Sequence, residues 1–185
     1  MAIRRQKLLD AGLELFGTRG IAATSIGDIC DQAGLTKRYF YESFETIDEL
    51  AVAVFDHVTG RLAAQIVPAI IAGGGRDPRP ALSAHASAVL ADPRIVRLLA
   101  VESRTAALAP RRAGFAQRAV ELWFASTAGE GEAIDPILRL RAYAFAGAIA
   151  EVGLASVQGE LELTPEQVID ELVGLFHRIS GIPPG

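Results

Sequence analysis

The chain has 185 residues, 50% of them hydrophobic and 22% charged, with one cysteine and a formal net charge of −4. That composition excludes a disordered or collagen-like chain, and this length buries enough surface to fold without disulfides or metals. A lone cysteine, Cys30, cannot form an internal disulfide, so the chain reads as a cytoplasmic protein of a reducing compartment.

Helix punctuation is legible along the whole sequence. An N-cap acceptor stands before proline at Asp77-Pro78, Asp92-Pro93, Asp135-Pro136 and Thr164-Pro165. Thr46 with Glu49, and Thr164 with Gln167, have the spacing of capping boxes. The patterning predicts an all-α protein of about nine helices, near 3–19, 25–33, 36–42, 46–72, 78–91, 93–108, 110–127, 135–157 and 164–180. No segment alternates with period two for long, so no strand is expected. Arg4, Arg5 and Lys7 resemble the start of a signal peptide, but Asp10 and Glu14 interrupt the apolar run that should come next. The longest uncharged stretch, Leu62 to Gly75, is broken by Pro68 and three glycines, and is expected to be too short to span a bilayer.

Two domains are predicted: 1–47, with three short helices, and 48–185, with longer, Ala-rich ones. The charge divides the same way. Residues 1–47 hold six basic and six acidic groups, whereas residues 48–185 hold 12 and 16, so the negative excess belongs to the second domain. A nucleic-acid face needs only local positive charge, which Lys37-Arg38 and the Arg4, Arg5, Lys7 cluster supply.

Groups for catalysis are scarce. His57, His85 and His177 are far apart, without the spacing of metal ligands, and there is no nucleophile elbow, phosphate loop or dinucleotide fingerprint. Cys30 lies on the apolar stripe of a short helix, where a small buried thiol is the ordinary reading. Neither catalytic residues, nor a metal, nor a cofactor is expected.

The first fifty residues carry more information. Ile26, Ile29, Cys30 and Ala33 form one stripe at helical spacing. Gly34 then suits a left-handed helix end, Leu35 can plug the angle between helices, and Thr36 can cap the next one. This is the outline of a helix-turn-helix. The wider pattern is Leu8-Leu9-x-Ala11-Gly12-x-x-Leu15-Phe16-x-x-x-Gly20, then Thr24-Ser25-Ile26-x-x-Ile29-Cys30-x-x-Ala33-Gly34-Leu35-Thr36. Phe40-Tyr41-x-x-Phe44 and Asp48-Glu49-Leu50 complete it. It resembles the tetracycline-repressor (TetR) family of bacterial regulators. The resemblance implies a homodimeric repressor that binds a palindromic double-stranded operator and leaves it when a small-molecule effector enters the second domain.

By matched position, the resemblance places Lys37, Arg38 and Tyr39 at the exposed start of the recognition helix, against base edges. Thr24, Ser25, Thr36 and the Tyr41 hydroxyl match positions that touch phosphate. Ser43, where the family often has His or Asn, completes the candidate DNA-facing set, and Arg4, Arg5 or Lys7 could add contacts from an N-terminal arm. The threonines and Ser25 would be ordinary N-caps in any helical protein; a solvated surface is the usual fate of a charged pair such as Lys37 and Arg38, and the resemblance shifts that reading towards DNA. The chain departs from the family pattern at Cys30 (usually Ala), at Arg38 (often Gly) and at Ile47, where a phosphate-touching Lys is usual.

In the last two helices, Phe145, Ile149, Val168, Leu172, Leu175 and Phe176 belong to apolar surface wider than one core-facing stripe, which suggests an intermolecular four-helix contact. Phe55, His85, Phe115, Trp123 and Tyr143 are the candidate effector-pocket residues, as aromatic walls with polar handles suit small organic ligands. An activator of the same fold is an alternative reading. A small all-helical enzyme or binding protein is the rival from another class, and the converging polar groups that would favour it are not evident in the sequence.

Overall fold

The computed structural model describes residues 2–74, 76–127 and 135–182, without the side chains at 116, 120 and 123–127. Among the described residues every regular element is helical: α1 (Ala2–Thr18), α2 (Ile26–Ala33), α3 (Lys37–Tyr41), α4 (Ile47–Ala72), α5 (Arg79–Ala91), α6 (Pro93–Val96), α7 (Ala109–Thr127), α8 (Pro136–Gln158) and α9 (Pro165–Ser180). The predicted all-α class and the helix order are observed. The chain divides into two compact units, Met1–Gly60 with Asp92–Arg112, and Arg61–Ala91 with Ala113–Gly185.

In the first unit, α1 turns Leu8, Leu9, Leu15 and Phe16 inward against Ile29, Phe40, Leu50 and Phe55, all at most 4% exposed. Each such side chain contributes about 1.5–3 kcal/mol when fully buried. Helix α6 packs on α1, and Arg94 fastens the contact. Its guanidinium bonds both oxygens of Asp92 at 2.7 Å and pairs with Glu14. Those bonds from Asp92 and Glu14 push the Arg94 pKa up, so the group is a permanent cation.

In the second unit, α9 packs on α5 and α8. Phe145 and Phe176 meet edge-on with ring centroids 5.5 Å apart, and Arg79 holds Asp170 at 2.5 Å. Leu172 and Phe176 are 9% and 4% exposed, so they are already packed within the single chain.

The caps match the sequence closely. Asp77, Asp92 and Asp135 each accept a backbone N–H from two residues on, and Thr164 with Gln167 forms the full reciprocal box. Three local expectations need correction. Thr46 does accept the Glu49 amide at 3.1 Å, but the Glu49 carboxylate takes the N–H of Glu45 rather than that of Thr46. Thr36 occupies the N-cap position of α3 with extended backbone, yet its hydroxyl makes no capping bond. The single helix expected over 93–108 is three pieces: α6, a π turn over Arg97–Val101, and a 3₁₀ turn over Glu102–Arg104. Leu98 and Leu108 are both fully buried, and Ser103 donates back to Leu99 O at 2.5 Å. Placing those two leucines, Glu102 and Ser103 inside one unit overrides the helical propensity of the segment.

Helix α4 continues through Pro68, and α4 and α8 are both long and apolar enough, by length and composition alone, to cross a membrane. In α8 only 6% of the most apolar 18-residue stretch is buried within the chain.

Candidate nucleic-acid interface

The helix-turn-helix is built by two small devices. Ser25 begins α2 with a capping box that includes Asp28. Its N–H donates to Asp28 Oδ2 at 2.8 Å, and its hydroxyl accepts the Asp28 N–H at 3.2 Å. The hydrogen bonds from Ser25 hold the Asp28 carboxyl below the usual carboxylate range. Gly34 ends α2 at φ 63°, ψ 39°, a left-handed conformation that a Cβ would penalise. The chain then turns through Leu35 and Thr36 into α3.

Helix α3 is anchored from beneath by Phe40, which is fully buried with its ring centroid 6.0 Å from that of Phe44. That anchor leaves Lys37, Arg38 and Tyr41 exposed and Tyr39 and Ser43 half-buried. The Arg38 side chain is 85% exposed, its Nε 3.3 Å from Glu42 Oε1. Arg4 lies with its guanidinium 4.0 Å from the Tyr39 ring centroid and 3.7 Å from Glu42 Oε2. Glu42 therefore sits between two of the cations expected to meet DNA. Only its i, i+4 spacing from Arg38 could have revealed this in the sequence. Arg4, Arg5 and Lys7 belong to the first turns of α1, which begins at Ala2, so they project from a helix rather than an extended arm.

The remaining candidates separate by exposure. Thr24 is 8% exposed and its hydroxyl donates to Gly20 O at 2.7 Å, which makes it a builder of the α1–α2 turn. Thr36 is exposed, with a hydroxyl left over by its missing cap bond. Cys30 is 3% exposed and burial pushes its thiol pKa up, as expected of a packing residue. Among the described residues no group of three or more His, Cys, Asp or Glu side chains could hold a metal ion.

The five effector-pocket candidates occupy different settings. Phe55 is 1% exposed in the first unit, Phe115 and His85 are half-buried in the second, and Tyr143 is 40% exposed on α8. The side chain of Trp123 lies outside the described residues. Burial pushes the His85 pKa below its ordinary value of about 6.5. The unfolded chain therefore takes up the proton first, so stability falls as pH drops below about 6.5. Thermal melts from pH 7.5 to 5 should show a smaller loss for His85→Gln than for the natural chain. Equal pH dependence in the two proteins would refute this account of His85.

Ile47 opens α4 and is half-buried, with Asp48 and Glu49 next in the same turn. A cation at that position opposes the helix dipole by ~0.3–1 kcal/mol, so the lysine usual in the family is better explained by phosphate than by stability. In a dimer Ile47→Lys should restore two phosphate contacts and steepen the log–log salt dependence of DNA binding by about 1.8. An unchanged slope in a salt series would show that another cation already occupies that phosphate.

Comparison with known proteins bears on the same residues. Residues 8–54 match the family model of bacterial regulatory proteins of the tetR family. The HTH-type transcriptional repressor KstR2 of Rhodococcus jostii (strain RHA1) is 33% identical over 85 residues, 44% of this chain and 39% of that protein. The match thus spans well under half the length of this curated relative. A TetR-like transcriptional regulator from Rhodococcus sp. RHA1 superposes with a TM-score of 0.74 at 23% identity, over 98% of both chains. The fatty acid degradation regulator FadR from Bacillus halodurans gives 0.74 at 14% identity, over 93% of both chains. At these identities the two structures speak for the fold, and the family match speaks for the helix-turn-helix. Together with Gly34, the Phe40 anchor and the exposed start of α3, the family match identifies residues 8–54 as a helix-turn-helix region of the tetR type.

Proposed function

We propose that the chain is a ligand-responsive transcriptional repressor that binds a palindromic operator as a homodimer and is released by a small-molecule effector. The observation that carries this reading is the start of α3. Lys37 and Arg38 stand in solvent on a helix fixed by Phe40 and a left-handed Gly34 turn, where a positive, hydrogen-bonding surface can enter a major groove. Thr36, Tyr41, Ser25 and Ser43 border it as phosphate contacts, and Thr24 supports the turn behind them. The repressor direction is suggested by the name of the Rhodococcus relative. In this reading residues 1–47 bind DNA, and residues 48–185 take the effector and the second subunit. His85 and Phe115, both half-buried in the second unit, stand as the effector-pocket candidates.

Dimerisation is supported by α8, whose Ile137, Leu140 and Tyr143 are 55%, 66% and 40% exposed. Phe145, Ile149, Val168 and Leu175 are half-buried on α8 and α9 and complete the proposed contact, with Leu172 and Phe176 packed beneath it. A second copy related by a two-fold axis suits a two-fold operator. Arg139, Arg141 and Glu151 are also exposed on α8, and charges of that kind favour a protein partner over lipid.

Selection of bound fragments from random double-stranded DNA tests the reading. A palindromic consensus is expected, and Arg38→Ala or Tyr39→Ala should relax it at particular positions, with a loss of ~1–3 kcal/mol for each good base contact removed. Failure to enrich any sequence would refute DNA reading. Uniform weakening on all sequences would confine both residues to the backbone.

A further inference from the structure

The turn between α1 and α2 is held from a distant part of the chain. Ile21 is 7% exposed, and its N–H donates to Glu102 Oε2 at 2.9 Å across 81 residues of sequence. Arg97 Nε lies 3.4 Å from the other carboxylate oxygen, and Arg97 Nη2 donates to Arg19 O at 3.5 Å. Glu102 is itself 7% exposed. Gly20 makes room for it: at φ 92° the residue is left-handed, and a Cβ there would stand 2.9 Å from Glu102 Oε1 and 3.1 Å from Arg97 Nη2.

The π turn over Arg97–Val101 sets this register. One residue inserted into an α-helix rotates every later position by about 100°, so a continuous helix would point position 102 away from Ile21. A buried amide without an acceptor costs the desolvation of its N–H, and a carboxylate is the stronger acceptor for it. We infer that Glu102 is a positioning residue: its carboxylate fixes the α1–α2 turn, and with it the angle at which α2 and the recognition helix leave α1. The consequence for DNA rests on the function proposed above, whereas the hold on the turn does not.

The test uses the full chain and two readouts. In the free protein, amide exchange at Ile21 should rise about tenfold or more in Glu102→Ala. Glu102→Gln keeps an acceptor oxygen on a side chain of the same length and should retain most of the protection. On a fragment selected from random DNA by the natural chain, Glu102→Ala should lose about tenfold or more in affinity, with little change on unselected DNA, and Glu102→Gln should recover most of the loss. Glu102→Asp, which retains the charge but shortens the reach, should behave like Glu102→Ala and takes its place if the alanine variant does not fold. A folded Glu102→Ala or Glu102→Asp protein whose Ile21 amide stays protected overturns the inference, as does one that binds the selected fragment like the natural chain. If the natural chain selects no fragment, the DNA reading fails, and the Ile21 exchange still decides whether Glu102 holds the turn.

Discussion

Phe40→Ala is expected to destabilise the protein by about 3–5 kcal/mol, the usual cost of removing a buried aromatic ring. Phe40 is fully buried, and its ring meets Tyr41 edge-on at 5.6 Å and Phe44 at 6.0 Å. Helix α3 has five residues, too few to persist on backbone hydrogen bonds alone. Its position therefore depends on this ring. At roughly 2–4 °C per kcal/mol for a chain of this size, the melting temperature should fall by roughly 6–20 °C. Specific DNA binding should fail at temperatures where the rest of the helix content survives, because Lys37 and Arg38 lose their platform. Circular dichroism melts beside binding isotherms would check both statements. A loss under about 1 kcal/mol would mean that Phe40 does not anchor the helix.

For the proposed homodimer, Leu140→Glu is expected to separate the two copies while sparing the fold of each. Leu140 is 66% exposed in one copy of the chain, so a carboxylate there meets water until a partner covers it. Covering a leucine contributes about 1.5–3 kcal/mol, and two-fold symmetry loses that contact twice. The dimer dissociation constant should rise by roughly 10²–10⁴-fold, before any penalty for burying the two charges. Sedimentation over a dilution series measures it directly. Operator affinity should fall with it, as one half-site contact is small. The contrast with Leu172→Glu and Phe176→Glu is informative, because those side chains are packed within the protomer and their loss should unfold the second unit. Natural-strength dimers of Leu140→Glu would show that the outer face of α8 is not the contact.

How far the sequence determined this protein can be read from particular residues. Helix starts were legible because each cap is settled within four residues: Asp92, Asp135 and Thr164 bond amides two or three positions on. The end of α2 was legible because a left-handed Gly34 needs no distant partner. The helix-turn-helix was recognisable because its three helices lie within fifty residues at fixed spacing.

Tertiary structure decided what depends on residues far apart in the chain. The segment 97–104 has ordinary helical propensity, and it becomes a π turn and a 3₁₀ turn where Leu98, Glu102 and Ser103 are buried in the first unit. Nothing near Glu102 in the sequence announces Ile21, since a hydrogen bond across 81 residues leaves no local pattern. Leu172 and Leu140 are both leucines on apolar helices, yet one is packed inside the protomer and the other stands in solvent. Propensity and capping are short-range, so sequence alone determined where helices begin and end. Burial is a sum over neighbours brought together by the whole fold, and only the tertiary structure decided which apolar and charged groups face inward.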